Sequence, residues 1–151
     1  MLRMTKCNAM NLFFAVMMVV SSCNNDSGNE GQGSDWVASA IQGDYSYINA
    51  GDTITLQLKA EGDSLSGPLV YSFAEKDKNQ GTFHGAIEDS LIVGTYHFRS
   101  EGIYSSRETV FGILPEGLLE GFGEIEHQDS MAVFVDRHHL RFDHGMLLKR
   151  R

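Results

Sequence analysis

Cysteine and proline are scarce in this sequence: each occurs twice in 151 residues. Both cysteines, Cys7 and Cys23, lie near the start of the chain, so the rest of it cannot form a disulfide, a cysteine metal site or a thiol nucleophile. Basic residues are also few, with 12 Lys and Arg against 20 Asp and Glu. Because nucleic-acid binding normally needs a basic footprint, we expect no nucleic-acid partner.

The sequence also lacks the common short motifs of catalytic sites. The sequence has no Gly-x-Ser-x-Gly, no His-Glu-x-x-His and no glycine loop that would cradle a phosphate before a helix. Gly121-Phe-Gly123 falls inside a predicted strand, where it indicates a bend. We therefore assign no catalytic residue and no cofactor from the sequence.

The first 22 residues have the three parts of an export signal. Arg3 and Lys6 give a positive start, residues 10–20 are apolar except for Asn11, and Ser21 and Ser22 follow. The apolar run is about half the ~20 residues that a transmembrane helix needs. A cleaved signal peptide is therefore expected rather than a membrane span.

Val20-Ser21-Ser22-Cys23 resembles the lipobox of bacterial lipoproteins. In that family the signal is cut before the cysteine, whose sulfur carries diacylglycerol and whose new amino group is acylated. The usual lipobox has Leu at the first of these positions and Gly or Ala at the third, so Val20 and Ser22 depart from it. The resemblance implies that Cys23 is a lipidation site and that the partner of the anchor is a membrane.

A polar stretch follows the cysteine at residues 24–34, rich in Asn, Gly and Ser and without an apolar side chain. Such a segment cannot bury enough surface to fold and predicts a flexible tether. Removal of residues 1–22 takes away Arg3 and Lys6 and leaves 10 basic and 20 acidic residues. We expect a monomer in the bacterial cell envelope, on the outer rather than the inner membrane.

The rest of the chain alternates between apolar and polar residues with period 2, which predicts half-buried strands. In residues 53–60, for example, Ile54, Leu56 and Leu58 share one face. Gly62 and the Asp89-Ser90 pair predict short hairpin turns. The pattern predicts eight strands, at residues 45–48, 53–60, 65–74, 82–88, 91–100, 107–114, 118–126 and 131–136.

Short turns between successive strands favour an all-β, antiparallel up-and-down meander, closed or partly closed as a small barrel. Six glycines inside predicted strands support a curved sheet; they are Gly67, Gly85, Gly94, Gly112, Gly121 and Gly123. The pattern resembles lipocalin-like and avidin-like barrels, although the Gly-x-Trp of the lipocalin first strand is absent. Residues 35–41 predict a helical turn that covers one barrel end with Trp36, Ala40 and Ile41.

These observations divide the sequence into four predicted segments. They are a signal peptide at 1–22, a lipidated cysteine with its linker at 23–34, a barrel domain at 35–136 and a basic tail at 137–151. The tail holds five of the ten basic residues that remain after cleavage. Leu140 and Phe142 could extend a last strand, and residues 149–151 are expected to fray.

The candidate ligand-binding residues are aromatic, charged and polar side chains of the central strands. An arginine at a barrel mouth can bind a carboxylate or phosphate through two hydrogen bonds, and the alternative is that these charges fix the hairpin register. For the aromatic pairs the alternative is the core. The candidates are Tyr71, Tyr96, Arg99, Glu101, Ser105, Arg107, Glu108 and Glu120.

Four short motifs in the central strands are similar to an uncharacterised family of Bacteroidota envelope lipoproteins over about residues 44–136. They are Glu75-Lys-Asp-x-Asn-x-Gly-Thr82, Tyr96-x-Phe-x-Ser-Glu-Gly102, Ser105-x-Arg-Glu108 and Leu119-Glu-Gly-x-Gly123. The resemblance implies a small lipocalin-like barrel and an envelope address. It implies no activity.

Histidines cluster towards the C-terminus, at His127, His138, His139 and His144. Adjacent residues on a strand point to opposite faces, so His138 and His139 cannot easily share an ion there. Zinc sites also place their ligands at defined spacings on rigid elements. We therefore predict surface histidines and no metal site.

Two classes of function fit these observations. One is a non-catalytic binding module for a small or lipidic ligand or for an envelope partner. The other is a small hydrolase or isomerase that uses Glu101, Arg107, Glu108 or Glu120, and a purely structural role is also open. An interior cavity of a few hundred Å³ with converging polar groups would favour ligand binding, whereas buried Glu and Arg brought together would favour the enzyme.

Overall fold

The structure is a computed structural model that describes residues 37–76 and 78–151. The predicted signal peptide, Cys23, the tether and Trp36 lie outside the described residues. Ten strands follow a helix at 37–41. They are β1 Gly43–Asn49, β2 Asp52–Glu61, β3 Ser64–Ser72, β4 Asn79–Glu88, β5 Leu91–Ser100, β6 Ile103–Leu114, β7 Gly117–Glu120, β8 Ile125–Gln128, β9 Met131–Phe134 and β10 Leu147–Arg150.

Eight of these strands form a closed, antiparallel up-and-down barrel. β1 to β7 pair in sequence order, and β10 closes the ring between β7 and β1. The all-β barrel prediction is confirmed. The predicted turns are also present: Gly62, with φ of 63°, lies between β2 and β3, and Asp89-Ser90 joins β4 to β5.

The chain after β7 departs from the prediction. The predicted strand at 118–126 is two strands, because the chain leaves the barrel after Glu120 and resumes as β8. The predicted eighth strand is β9, which forms a hairpin with β8 outside the ring and pairs in parallel with β6 at Ser106 and Arg107. The barrel strand in eighth place is thus not the one at 131–136.

β10 supplies the eighth barrel strand from within the segment expected to be a tail. Its Leu148 is fully buried in the core, and its Arg150 donates hydrogen bonds to the carbonyls of Ala40 and Gln42. Residues 149 and 150 therefore pair with β1 instead of fraying, and the barrel does not end at residue 136. The short, basic strand has only one fully buried side chain, which is why its alternation was not recognisable.

One end of the barrel is filled and covered. Ala38 in the helix is buried and packs on the core, with Ile41 beside it; Ala40, expected to cover this end, is exposed. Deeper in, Gly85 faces Gly94 across β4 and β5. A Cβ at either glycine would lie 2.7 Å from the ring of Phe83, so the pair leaves the space that this ring fills.

An outer layer covers β6 and β7. Phe142 lies against Gly112 and Gly121, and Leu140 lies against Gly121 and Gly123, at distances that a Cβ would obstruct. These three glycines therefore admit the returning chain, in addition to any role in curvature. The opposite barrel end, called the open mouth below, is where β3, β5 and β7 end and β2, β4 and β6 begin.

Candidate functional site

Four of the predicted site residues meet at the open mouth. Tyr71 lies at the end of β3 and Glu120 at the end of β7, whereas Tyr96 on β5 is directly opposite Arg107 on β6. Side chains alternate between the two faces of a strand, and all four of these point into the barrel. Closure of the sheet brings them together although they span 50 residues of sequence.

Glu120 is the centre of this cluster. Its Oε1 accepts a hydrogen bond from Nη2 of Arg107 at 2.9 Å, and its Oε2 accepts one from the Tyr71 hydroxyl at 2.7 Å. The glutamate side chain is 3% exposed and the arginine side chain 33%. The carboxylate is therefore held at both oxygens, below an arginine that reaches the solvent.

Arg107 also lies over two aromatic rings. Its guanidinium carbon is 5.0 Å from the centre of the Tyr71 ring and 5.7 Å from that of Tyr96. Cation–π contacts of this kind attract the guanidinium to the ring faces. The Tyr96 hydroxyl is engaged below, where it donates to the Leu69 carbonyl at 2.9 Å. The tyrosines thus fix the plane in which Arg107 can present its N–H groups.

Burial dominates the acid–base properties of the cluster. It raises the pKa of Glu120, against the opposing effects of Arg107 and the Tyr71 hydrogen bond. It also raises the pKa of Tyr71 well above its usual value, and Glu120 raises it further. Burial lowers the pKa of Arg107, but Glu120, Tyr71 and Tyr96 together outweigh this and leave the pKa raised. Both tyrosines remain neutral and Arg107 remains charged at neutral pH.

A cavity of about 590 Å³ opens above this cluster, within the range of small-molecule sites. Arg107, Glu120 and Tyr71 form its polar floor. Its walls are mostly apolar and come from the ends of several strands and from three connecting segments. The other lining residues are Asp52, Phe73, Ala74, Lys76, Asn79, Phe98, Phe122 and Met146.

Two contacts support the walls. The ring of Phe98 stacks on Tyr96 with centres 4.8 Å apart. His144 lies behind the wall: its Nε2 is 2.6 Å from the Glu120 carbonyl, and its Nδ1 accepts from the Met146 backbone amide at 3.1 Å. With Nδ1 as an acceptor, Nε2 is the donor. His144 therefore ties the end of β7 to the chain that carries Met146.

The other four predicted residues do not join this cluster. Arg99, Glu101 and Ser105 lie on the β5–β6 hairpin, where Glu101 and Ser105 are exposed. Arg99 contacts the ring of Tyr104 at 5.8 Å, and Glu101 occupies the turn with φ of 49°. None of these three residues lines the mouth cavity.

Glu108 points out of the barrel and fastens the outer layer. Its Oε1 accepts from Nε of Arg137 at 2.6 Å and its Oε2 from the Phe134 backbone amide at 2.8 Å. Arg137 also reaches Glu88 at 3.2 Å. Glu108 is 9% exposed, so this buried carboxylate holds the β8–β9 hairpin against the barrel wall.

Two of the C-terminal histidines make contacts with different partners. His139 lies 2.7 Å from the Asp136 carboxylate on a 3-10 turn, where both are exposed, and His144 serves the Glu120 carbonyl. Within residues 37–76 and 78–151, no group of three His, Cys, Asp or Glu side chains is placed to hold a metal ion.

The cavity walls were only partly foreseen from the sequence. Phe73 and Phe98 lie two residues after Tyr71 and Tyr96, a spacing that places each pair on one face of a strand. The spacing does not indicate that this face borders a cavity. Phe122 and Met146 lie in irregular segments, and no local signal places them beside β3 or β6. A cavity of this composition can bind an apolar molecule that carries one or two polar atoms.

The chain was compared with known proteins in three ways. No protein-family model, no curated protein and no solved structure matches it. The described part of the chain also has no helix with the length and hydropathy to cross a membrane.

Proposed function

We propose that this protein is a lipid-anchored module of the bacterial cell envelope that binds a small, largely apolar ligand at the open mouth of its barrel. The observation that carries the proposal is the cavity of about 590 Å³ with apolar walls and a polar floor of Arg107, Glu120 and Tyr71. Sites for small molecules commonly combine apolar walls with a few placed polar groups.

The part of the barrel below the mouth supports a binding role in a different way. Its interior is filled by buried side chains, among them Phe83, Phe111 and Leu56, and the helix at 37–41 packs on the far end. A ligand that enters the barrel at the mouth is therefore stopped by the filled core below the floor residues. The rigid ring of strands holds the floor residues without a ligand, which reduces the entropy cost of binding.

Binding is tested with a neutral fluorescent probe, N-phenyl-1-naphthylamine, titrated into the purified domain. We expect saturable binding that the Phe98→Ala variant weakens about tenfold, since an aromatic wall worth roughly 1.4 kcal/mol is lost. Tyr104→Ala is the matched control, because Tyr104 is 81% exposed on the same hairpin and does not line the cavity. Equal loss in both variants, or no saturable binding, would refute a site at the mouth.

The natural ligand is sought by native mass spectrometry of the protein purified from its own host. A bound small molecule should add one discrete mass to the domain. The Phe98→Ala variant should lose that mass, whereas a protein partner retained by both forms would favour a surface-interaction role instead.

The anchor rests on the sequence of residues 1–34 alone. We expect Cys23→Ala to abolish incorporation of labelled fatty acid and to release the protein from the membrane fraction, because the acyl chains supply the membrane affinity. Cys7→Ala is the control, since Cys7 lies in the segment that cleavage removes. Unchanged labelling in Cys23→Ala would refute the lipoprotein assignment.

A hydrolase or isomerase is the second candidate, and one observation favours it. Glu120 is a buried carboxylate with a raised pKa beside an arginine and a tyrosine, as in many acid–base sites. Both oxygens of Glu120 already accept hydrogen bonds, as they also would in an ion pair with a purely structural role. If the ligand recovered from the host is converted by the wild type but not by Glu120→Gln, the enzyme is the better description.

A further inference from the structure

We infer that the mouth cavity selects an uncharged ligand with a hydrogen-bond acceptor at its head, such as an alcohol, ketone, ester or amide, over a carboxylate of the same length. This inference rests on the proposed function and specifies its ligand class. It follows from the charge of the cavity floor and from the donors that the floor leaves open.

The floor is electrically neutral as it stands. Arg107 is paired with the Glu120 carboxylate at 2.9 Å, and the two tyrosine hydroxyls are protonated. At the rim, Lys76 and Asp52 also have opposite charges, and the Asp52 carboxylate accepts a hydrogen bond from the Ala74 backbone amide. The formal charges of the four charged lining residues therefore sum to zero, and the charge of Arg107 on the floor is compensated by Glu120.

Arg107 nevertheless has donors to offer. A guanidinium carries five N–H groups. Glu120 accepts from one of them, and the adjacent Tyr71 hydroxyl is the other near acceptor. No further side-chain acceptor for Arg107 occurs among the described residues, although its side chain lines the cavity. An oxygen on the ligand can accept these remaining hydrogen bonds without any change of charge.

A carboxylate head would meet a different situation. It would place a second anion on the one guanidinium, beside a glutamate that is 3% exposed and held by the Tyr71 hydroxyl. Burial of a net charge is costly unless that charge is paired. A cationic head would have to lie against Arg107 itself. Only a neutral head satisfies the donors and leaves the ion pair intact.

The walls indicate the rest of the ligand. Phe73, Phe98, Phe122 and Met146 line the cavity between the floor and the rim. Aromatic rings and a flexible thioether accept alkyl or ring systems of varied shape. The expected ligand is thus an amphiphile whose polar end enters first and whose apolar body fills the opening.

The test compares three ligands that differ only in the head: 1-decanol, decanoate and decylammonium. Each displaces N-phenyl-1-naphthylamine from the wild-type domain at pH 7.5. We expect decanol to bind at least about tenfold more tightly than either ion. Stronger binding of decanoate than of decanol would overturn the inference while leaving the proposed function in place. Failure of the probe and of all three ligands to bind would instead refute the proposed function.

A single substitution should reverse this selectivity. Glu120→Gln keeps the shape and a hydrogen-bonding partner for Arg107 but leaves the guanidinium without its counter-ion. Decanoate affinity should then rise roughly ten- to hundredfold, as expected for a charge-assisted hydrogen bond to an unpaired arginine. Decanol should change by less than about threefold. This reversal separates recognition of the head from the general preference of an apolar cavity for an uncharged solute.

Glu108→Gln is the matched control, because Glu108 is also a buried carboxylate paired with an arginine but lies on the outer wall. It should leave the order of the three ligands unchanged. If Glu120→Gln does not fold, the double variant Arg107→Met with Glu120→Gln removes both charges together. Decanol should then bind about fivefold more weakly, and unchanged decanol affinity would overturn the role of Arg107.

Discussion

Replacement of Arg107 by Met tests the ion pair on which the site is built. The variant keeps most of the side-chain length but removes the partner of Glu120 Oε1, leaving the buried carboxylate with only the Tyr71 hydroxyl. A buried carboxylate that has lost its counter-ion is strongly disfavoured in the folded state. We therefore expect a marked loss of stability at neutral pH.

The size of the loss follows from the exposure of the two partners. Breaking a fully buried pair costs about 3–5 kcal/mol. Glu120 is fully buried, but one third of the Arg107 side chain is exposed, so water screens part of the interaction. The Tyr71 hydrogen bond also survives. We expect the free energy of unfolding at pH 7.5 to fall by about 2–3 kcal/mol.

The loss should depend on pH in a defined direction. Burial already raises the pKa of Glu120 above the value of about 4.3 that it has in the unfolded chain, and removal of Arg107 raises it further. A carboxyl whose pKa is higher in the folded state than in the unfolded state favours folding when it is protonated. This contribution to stability is fully present below the pKa of the unfolded state and is lost as the pH rises through the pKa of the folded state. The deficit of the variant should therefore be large at pH 7.5 and small near pH 4.

The assay is urea unfolding, followed by circular dichroism, of the wild type and the variant at both pH values. Arg99→Met is the control, because Arg99 contacts Tyr104 on the surface of the same hairpin, and it should change stability by less than about 0.5 kcal/mol. The double variant Arg107→Met with Glu120→Gln should recover at least half of the loss at pH 7.5. An equal deficit at pH 4 and pH 7.5 would refute the reasoning.

Three further predictions concern the polar groups around the site. Thr109→Val should stabilise the protein by about 1 kcal/mol in thermal unfolding, because Oγ1 of Thr109 is buried and has no hydrogen-bond partner among the described residues. A clear destabilisation would contradict this and would mean that the hydroxyl has a hydrogen-bond partner. Tyr96→Phe should destabilise by about 1 kcal/mol in urea, since the Leu69 carbonyl loses its donor, and an unchanged midpoint would contradict this. Glu108→Ala should speed hydrogen exchange at the Phe134 amide by roughly tenfold, and unchanged protection would show that the outer hairpin is held by other contacts.

Local rules predicted most of the wall of the barrel. In β2 the alternation of Ile54, Leu56 and Leu58 with polar residues fixes which face is buried, because successive side chains on a strand point in opposite directions. Gly62 and Asp89-Ser90 mark turns because only a few residues accept the required backbone angles. Both signals depend on neighbours within a few residues, so the sequence alone carries them.

Strand β10, which closes the barrel, and the cluster at the mouth could not be predicted from local sequence patterns. Leu148 gives β10 only one fully buried residue, and nothing near it in sequence indicates that it pairs with β1 and β7. Arg107 and Glu108 are adjacent, and either could have faced the interior. The pairing of Tyr96 with Arg107 decides that Arg107 does, and Glu108 then fastens the outer layer.

The sequence by itself therefore determined most of the barrel strands, their turns and the acidic character of the chain. Only the tertiary structure decided that Tyr71, Arg107 and Glu120 share the floor of one cavity, with Phe122 and Met146 in its walls. The physical reason is that strand alternation is a property of neighbouring residues. Barrel closure, by contrast, sets the distances between strands that are far apart in the chain, and those distances determine which charges pair and where space is left.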